Sequence, residues 1–273
     1  MFKNYKNYII YAVIAILAVI ILMPGLDCGM KKELKKNIMD KVFAEEEVKK
    51  EVKIMTFNIR RGSWIWGWDI TKRKDKIINI INSYDLDIVC LQEALEFQYK
   101  DIQEALIEFN SYGVGRGNGE NKGEFCPIFY RKDRFELMAC GTFWYSDTPD
   151  NPGSKEWGNI VPRICSWVQL KDGDKIFYVY NTHLPYFSDT ARRKSIALLI
   201  EKVESPFIIV GDFNVNVNNP IMEDMAELSC HYFESHDHDY IFASEEIVIK
   251  DHCVDETKNN PSDHRALISI LEL

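Results

Sequence analysis

Beyond residue 50 the chain switches repeatedly between short runs with strand character and longer stretches whose apolar residues recur at helical spacing. Val52–Asn58 alternates in polarity and predicts a strand that ends in a loop. Thr71–Ser83 carries Ile77, Ile78, Ile80 and Ile81 at helical spacing, and Glu96–Phe109 repeats the pattern, so both predict helices. Between them the mostly apolar run Asp87–Gln92 predicts a buried strand. The glycines Gly113, Gly115, Gly117, Gly119 and Gly123 mark a loop between two strands, the second being Phe125–Tyr130, and Phe135–Phe143, Arg163–Leu170 and Lys175–Thr182 read as further strands. Ala191–Val203 is amphipathic and Pro206–Val210 is a fully apolar strand. Tyr240–Ala243, Ile247–Lys250 and Ala266–Leu271 close the pattern. Strands that come singly and in meanders, with helices between them, predict an α/β sandwich with mixed sheets rather than a regular βαβ alternation.

The first fifty residues follow another rule. Tyr8–Met23 is an unbroken apolar run that continues through Pro24-Gly25-Leu26, preceded by Lys3 and Lys6. With that extension it is long enough for one membrane span. Pro-Gly-Leu-Asp-Cys-Gly is a poor signal-peptidase site, and Asp27 stands where lipid attachment at Cys28 needs a small residue. The expectation is therefore a retained single-pass anchor at residues 1–26, with a cleaved signal as the alternative. Residues 27–50, rich in Lys and Glu, read as a solvated stalk, and residues 51–273 as one large domain. The positive-inside rule puts that domain in the cytoplasm, whereas signal-anchor insertion of a short stub puts it outside. The expectation taken here is outside.

Charge narrows the chemistry. The chain is at −9 overall, yet its first fifty residues hold nine Lys against six acidic residues, so the domain is more acidic still. Such a domain is no electrostatic trap for polyanions, which disfavours nucleic acid, but converging carboxylates suit a hard divalent cation. The seven cysteines are scattered and form no CxxC pair, which argues against a disulfide framework and a zinc site.

Polar residues stand at the ends of the apolar runs. Asn58 ends Ile54-Met55-Thr56-Phe57, and Glu93 ends Val89-Cys90-Leu91-Gln92. His183 follows Tyr180-Asn181-Thr182, while Asp212 and Asn214 follow Ile208-Ile209-Val210-Gly211. Asp239 opens Tyr240-Ile241-Phe242, and Asp263-His264 precede Ala266-Leu267-Ile268. One strand-end polar residue is usually a turn former or cap. Six such places, filled only by Asn, Glu, His and Asp, supply oxygen ligands and two imidazoles.

In order, the segments Thr-Phe-Asn-Ile-Arg, Leu-Gln-Glu, Asn-Thr-His-Leu, Gly-Asp-Phe-Asn, Asp-Tyr-Ile-Phe and Ser-Asp-His-Arg-Ala-Leu resemble the endonuclease/exonuclease/phosphatase superfamily, the DNase I-like group. The resemblance runs from about residue 51 to 273 and is specific because all six segments stand in register. Gly123–Tyr130, Phe143-Trp144 and Pro162–Trp167 look like a bacterial and fungal subgroup without an assigned substrate. The resemblance implies a four-layer sandwich of two mixed β-sheets flanked by helices, with the site at one edge. It implies a phosphoric ester hydrolase using Mg²⁺, with Mn²⁺ as a possible substitute. It makes Glu93 the principal metal ligand, helped by Asn58 and Asp263. Asp212 and Asn214 would handle the attacking water and phosphoryl oxygens. His264, held by Asp239, would be a general base or a charged phosphate stabiliser, and His183 would stabilise the transition state or assist the leaving oxygen. Arg163 is a candidate for substrate binding, with pairing to a surface acid as its alternative. Tyr130 is a second, with a core position as its alternative.

Two segments depart from the pattern. His236-Asp237-His238-Asp239 is rich in charge, a solvated strand entry or a separate His/Asp site. The loop Trp64-Ile65-Trp66-Gly67-Trp68 could stack on a base, sugar or lipid headgroup, or simply pack. The leading function is hydrolysis of a phosphodiester or phosphomonoester of a small molecule, sugar or lipid headgroup near a membrane. A metal-dependent nuclease is the alternative, and a catalytically dead binding module is the third reading.

Overall fold

The structure is a computed structural model that describes residues 30, 32–36, 51–62, 67, 68, 72–216, 218–229, 231–234 and 238–273. The chain divides into two units, Met1–Lys50 and Glu51–Leu273. In the first, residues 32–36 are helical. No helix among the described residues is long and apolar enough to cross a membrane. That overturns the expected single-pass anchor, along with the membrane attachment and the outside placement that rested on it; the run Tyr8–Met23 itself lies outside the described residues.

The second unit is built on two six-stranded sheets. The first holds β1 (Glu51–Asn58), β2 (Ile88–Gln92), β3 (Phe109–Tyr112), β4 (Ile128–Arg131), β11 (Val248–Val254) and β12 (Leu267–Glu272), in the order β11-β12-β1-β2-β4-β3. The second holds β5 (Glu136–Trp144), β6 (Ile164–Asp172), β7 (Lys175–His183), β8 (Phe207–Asp212), β9 (His231–Glu234) and β10 (Asp239–Ala243), in the order β5-β6-β7-β8-β10-β9. Each sheet is mixed: β1–β2 and β7–β8 run parallel, and the other pairs antiparallel.

The period-two geometry of a strand explains why the central strands are apolar on both faces. Along β1, Val52 and Ile54 face the layer between the sheets, where they meet Val168, Val179, Ile208 and Val210. The intervening Met55 and Phe57 face outward, onto α1 (Arg73–Asn82) and α2 (Glu96–Ala105), against Ile77, Ile81 and Ile102. β8 does the same: Ile208 and Val210 point inward, while Phe207 and Ile209 meet Ile196 and Leu199 of α3 (Asp189–Lys202) and Met225 of α4 (Glu223–Leu228). The result is the four-layer sandwich of two mixed sheets flanked by helices.

The differences from the sequence pattern are local. The helix expected over Glu96–Phe109 stops at Ala105, because Phe109–Tyr112 is drawn into pairing with β4. Strand β9 and helix α4 were not expected; each is too short to establish a period. Trp68 of the tryptophan-rich loop is buried, its indole Nε1 donating to Asp101 Oδ2 at 2.6 Å, so this member packs rather than offering a stacking surface. Trp64, Ile65 and Trp66 lie outside the described residues, as do His236 and Asp237.

Candidate active site

Strand register brings the chemistry together. His183, the last residue of β7, is the register partner of Asp212, the last residue of β8, and Asp239 at the start of β10 is the partner of Asp212 on its other side. Three polar groups from distant parts of the chain thus form one row across the second sheet. In the first sheet Asn58 pairs with Gln92 at the ends of the parallel strands β1 and β2, and Glu93 follows at once. Both parallel pairs end on the same edge of the sandwich.

Asp212 is the hub. Its Oδ2 accepts from Asn58 Nδ2 at 3.0 Å, lies 3.5 Å from His183 Nε2 and 3.8 Å from His264 Nε2. Its Oδ1 accepts the backbone N–H of Asn214 at 2.9 Å. Asn58 Nδ2 also reaches Glu93 Oε1 at 3.3 Å, so a single amide stands between two carboxylates. His264 Nδ1 is 2.8 Å from Asp239 Oδ2. The seven residues Asn58, Glu93, His183, Asp212, Asn214, Asp239 and His264 therefore form one connected network.

The two histidines sit in opposite electrostatic surroundings. Burial opposes an imidazolium at His264, but the hydrogen bond and charge of Asp239, with Asp212 and Asp263 behind them, outweigh it and push the ring up to about 10. His183 is held well below the usual range, by burial first and then by the charges of Arg163, Arg116 and His264. One ring is cationic at neutral pH and the other neutral. Burial also raises Asp212, against the pull of His264 and the hydrogen bonds from Asn58 and Asn214.

Loops hold this edge in place. Glu93 and Asn214 adopt left-handed backbone with φ of 61° and 52°, a conformation that costs a non-glycine residue about 1 kcal/mol or more and persists only where surroundings enforce it. Glu93 Oε2 accepts the backbone N–H of Arg61 at 3.0 Å. Asn214 Nδ2 donates to Leu184 O at 2.9 Å, so its side chain anchors the segment that follows His183, while its backbone N–H holds Asp212. Arg73 donates to Ile59 O, Arg60 O and Pro261 O, tying the exit of β1 to the loop that carries Asp263 and His264.

Not every expected residue reaches this centre in the same way. Asp263 is half exposed and lies 3.3 Å from Arg60 Nε, at the rim. Arg163 packs beside His183, together with Arg116, Glu124 and Cys126, around a gap too small for a water molecule. Tyr130 is not brought to the site: it is buried between the sheets on the same face of β4 as Ile128, among Val52, Phe135 and Val168. As a substrate contact it is corrected to a core aromatic. The sequence pattern also missed Gln92 and Asn181. Gln92 Nε2 donates to Thr56 Oγ1 at 2.9 Å and across the sheets to Asn181 Oδ1 at 2.7 Å, while Asn181 Nδ2 reaches Leu91 O and Pro127 O at 2.8 and 2.9 Å. A polar residue inside an otherwise apolar strand is the signal that points to this bridge.

The donor set suits a divalent cation. Glu93 and Asp212 are two carboxylates held against one amide, and Asp212, Asp239 and His264 bring ligand atoms within 4.8 Å of one another. In the latter group, Asp239 is engaged with His264 Nδ1, an arrangement that orients an imidazole.

Comparison with known proteins identifies the family and the fold. The model of the Endonuclease/Exonuclease/phosphatase family matches residues 55–264. An endonuclease/exonuclease/phosphatase from Bacteroides vulgatus superposes with a TM-score of 0.74 at 31% identity, covering 82% of this chain and 99% of that one. A mannosyl-6-phosphatase from Bacteroides thetaiotaomicron superposes at 0.69 with 29% identity, covering 81% and 99%. The CCR4-Not complex 3'-5'-exoribonuclease subunit Ccr4 of Kluyveromyces lactis is 23% identical over 201 residues, which is 59% of this chain and 25% of that protein. This chain therefore spans about a quarter of that relative's length.

Proposed function

This chain belongs to the endonuclease/exonuclease/phosphatase family, and from that premise we propose that it is a Mg²⁺-dependent phosphatase of a phosphorylated small molecule, a sugar phosphate foremost, with Mn²⁺ able to substitute. The observation that carries the reading is the Asp212-centred network, with one cationic and one neutral histidine on the same carboxylate. The likeness to a mannosyl-6-phosphatase over nearly that whole chain supports the substrate class. The acidic balance of the domain supports a small substrate over a polyanion.

Glu93 and Asn58, with Asp263 at the rim, would hold the cation, which when bound offsets negative charge on the phosphoryl oxygens. His264 donates from its imidazolium to a phosphoryl oxygen, and Asp239 keeps the ring oriented and charged. Asp212 is the carboxylate that takes a proton from the attacking water. His183 stays neutral and offers a ring N–H to the leaving oxygen. Asn214 holds Asp212 and the loop after His183 in register. Arg163 contacts the phosphoryl group from the His183 side.

A nuclease is the second reading, favoured by the likeness to Ccr4. The test is a substrate screen of the full chain with Mg²⁺ or Mn²⁺ across sugar phosphates, lipid headgroups, nucleotides, RNA and DNA. Turnover of a sugar phosphate, abolished by EDTA and restored by Mg²⁺, is expected. Turnover confined to nucleic acid, with affinity falling steeply as salt rises, would move the assignment to the nuclease. Equal rates for wild type and His264→Ala would remove the enzymatic reading.

A further inference from the structure

Large apolar side chains gather in the open on the chain segments that lead to and from His183. Tyr186 and Phe187, just beyond it, are 62% and 77% exposed, and Ile160 is 67% exposed with Val161 next to it at 38%. A lone exposed apolar residue needs no explanation, but four on two adjoining loops make a patch, and a patch marks a binding place. The two loops are fastened together at both ends. At one end Arg163 packs beside His183. At the other, Ser188 Oγ donates to Trp157 O at 3.4 Å, and a Cβ on Gly158 would lie 3.7 Å from the same hydroxyl. Ile160 and Val161 lie between these ties on one limb, and Tyr186 and Phe187 lie between them on the other.

The aromatic limb is held from below. Leu184 N–H donates to Asp212 O at 2.9 Å, and Leu184 O accepts from Asn214 Nδ2 at 2.9 Å. Arg192 of α3 donates to Pro185 O at 2.9 Å and to Tyr186 O, and the Ser188 hydroxyl caps α3 by accepting Ala191 N–H. Leu184 and Pro185 are buried, so the chain surfaces at Tyr186. The rings of Tyr186 and Phe187 stand at 90° to each other with centroids 5.0 Å apart. The same backbone therefore fixes these two rings and the His183–Asp212 pair. On the first-sheet side the rim is charged: Arg60 pairs with Asp263 at 3.3 Å, and the exposed Arg61 follows, its backbone N–H on Glu93. The mouth of the site is polar on one side and apolar on the other.

We propose that Tyr186 and Phe187, backed by Ile160 and Val161, form the platform for the leaving group of a sugar phosphate and so set specificity for a ring-bearing substrate. This deepens the proposed phosphatase reading and rests on it. With the phosphoryl group at Asp212 and the leaving oxygen at His183, the rest of the substrate has to continue outward past the residues that follow His183. A hexopyranose has a face of C–H groups and a periphery of hydroxyls. The C–H face suits an aromatic ring, whose own face carries partial negative charge, and the hydroxyls suit the charged side of the mouth. An acyclic polyol offers the hydroxyls without the face.

The test measures kcat and KM with Mg²⁺ on mannose 6-phosphate and glycerol 3-phosphate, which share a primary alkoxide leaving group but not the ring. It uses the full-length wild type, Tyr186→Ala, Phe187→Ala and Phe187→Tyr. The wild type should favour the sugar phosphate, and each alanine should lower the ratio of the two kcat/KM values about tenfold, chiefly through KM for the sugar. Phe187→Tyr keeps the ring face and should hold the ratio near the wild-type value. An equal fall on both esters would make the loop a support for His183 and overturn the proposal, as would an unchanged ratio or a wild-type preference for glycerol 3-phosphate. Unchanged KM values, with a wild-type dimer in sedimentation that the alanines dissolve, would give the patch to a second copy of the chain and also overturn it. A second arm needs no turnover. Calorimetric titration in EDTA should show the wild type binding mannose 6-phosphate about tenfold more tightly than inorganic phosphate, with the preference lost in Tyr186→Ala/Phe187→Ala. Equal affinity in the wild type would overturn the platform. A wild type that hydrolyses neither ester but keeps that preference would sink the phosphatase reading alone and leave the platform standing.

Discussion

Asn58 Nδ2 donates to Asp212 Oδ2 at 3.0 Å, although 154 residues separate the two in sequence. Asn58 ends β1 in the first sheet and Asp212 ends β8 in the second, so this bond closes the gap between the layers at the edge that carries the candidate site. The same amide reaches Glu93. The site therefore exists only when the two sheets are stacked, and its geometry depends on the packing beneath it.

Replacing Asn58 by Ala removes the donor shared by Glu93 and Asp212, and leaves two carboxylates facing each other. Activity on any phosphoric ester should fall about 10²–10³-fold, as it does when a charge-stabilising donor is lost. Asn58 is buried, so stability should also drop by about 1–3 kcal/mol. Steady-state rates with matched melting curves would check both; a variant with wild-type kcat/KM would show that the amide only caps a loop.

The Asp239–His264 pair gives a signed pH dependence in metal-free protein. His264 is pushed up to about 10 in the fold, against burial, by its hydrogen bond to Asp239 and the acidic groups around it. A group whose folded pKa is raised contributes stability that is complete below its unfolded value of about 6.5 and lost as pH rises through the folded value. Between pH 7 and 8.5 the folded ring keeps a proton that the unfolded chain has released. Stability should fall over that interval by up to about 1.4 kcal/mol per pH unit. His183, lowered by burial and the nearby arginines, acts in the other direction and only below about pH 6.5. Melting temperatures in EDTA at pH 7 and 8.5 should decline in the wild type and change much less in Asp239→Asn. Identical slopes would deny that Asp239 sets the ring's charge.

Much of this centre was legible in the chain, because the chemistry stands at the ends of apolar runs. His183, Asp212 and Asp239 each terminate or open a buried strand, and the structure lines them up as register partners. What periodicity cannot give is alignment between strands. Parity settles Tyr130: it shares a face with Ile128, and that face is the layer between the sheets. Arg116 had no such clue. It sits in a glycine-rich loop without a period, and its place beside His183 follows from packing against residues such as Glu124, Trp144 and Arg163. The N-terminal apolar run was read as an anchor on its length and on the poor cleavage and lipid-attachment sites behind it, and no helix among the described residues meets that description.

The bridge below the site can be probed at Asn181. Its side chain satisfies Leu91 O, Pro127 O and Gln92 Nε2 at once, in a fully buried place between the sheets. Asn181→Leu leaves those groups without their partner and should cost about 3 kcal/mol or more. Adding Gln92→Leu removes one of the stranded groups, so the double variant should lose less than the sum of the singles. Strict additivity in denaturant unfolding would mean the two amides do not act as a unit.

Gly211→Ala should be among the most damaging single-atom-group additions in the domain, for a reason visible in the backbone. Gly211 has φ of 143°, where L side chains rarely settle, and a Cβ there would lie 1.9 Å from Thr182 O and 3.0 Å from Thr182 N. Both are backbone atoms of the adjacent strand, so no rotamer change relieves the clash; β7 and β8 must separate. Thr182 and Gly211 are register partners, and the next pair along is His183 with Asp212. The displacement therefore falls one residue from the His183–Asp212 contact at 3.5 Å. Stability should drop by about 3 kcal/mol or more, and the folded fraction should lose about 10²-fold in kcat, the usual result of a misplacement near 1 Å. Gly173→Ala is the control: its φ of 61° also favours glycine, but nothing lies within 4 Å of an added Cβ, and it sits in the turn between β6 and β7, far along the strands from His183. That change should cost only about 1 kcal/mol and leave kcat intact. If the two alanines lowered the melting temperature equally, the loss would belong to backbone conformation alone, and the close approach of β7 to β8 could not be what holds His183 against Asp212.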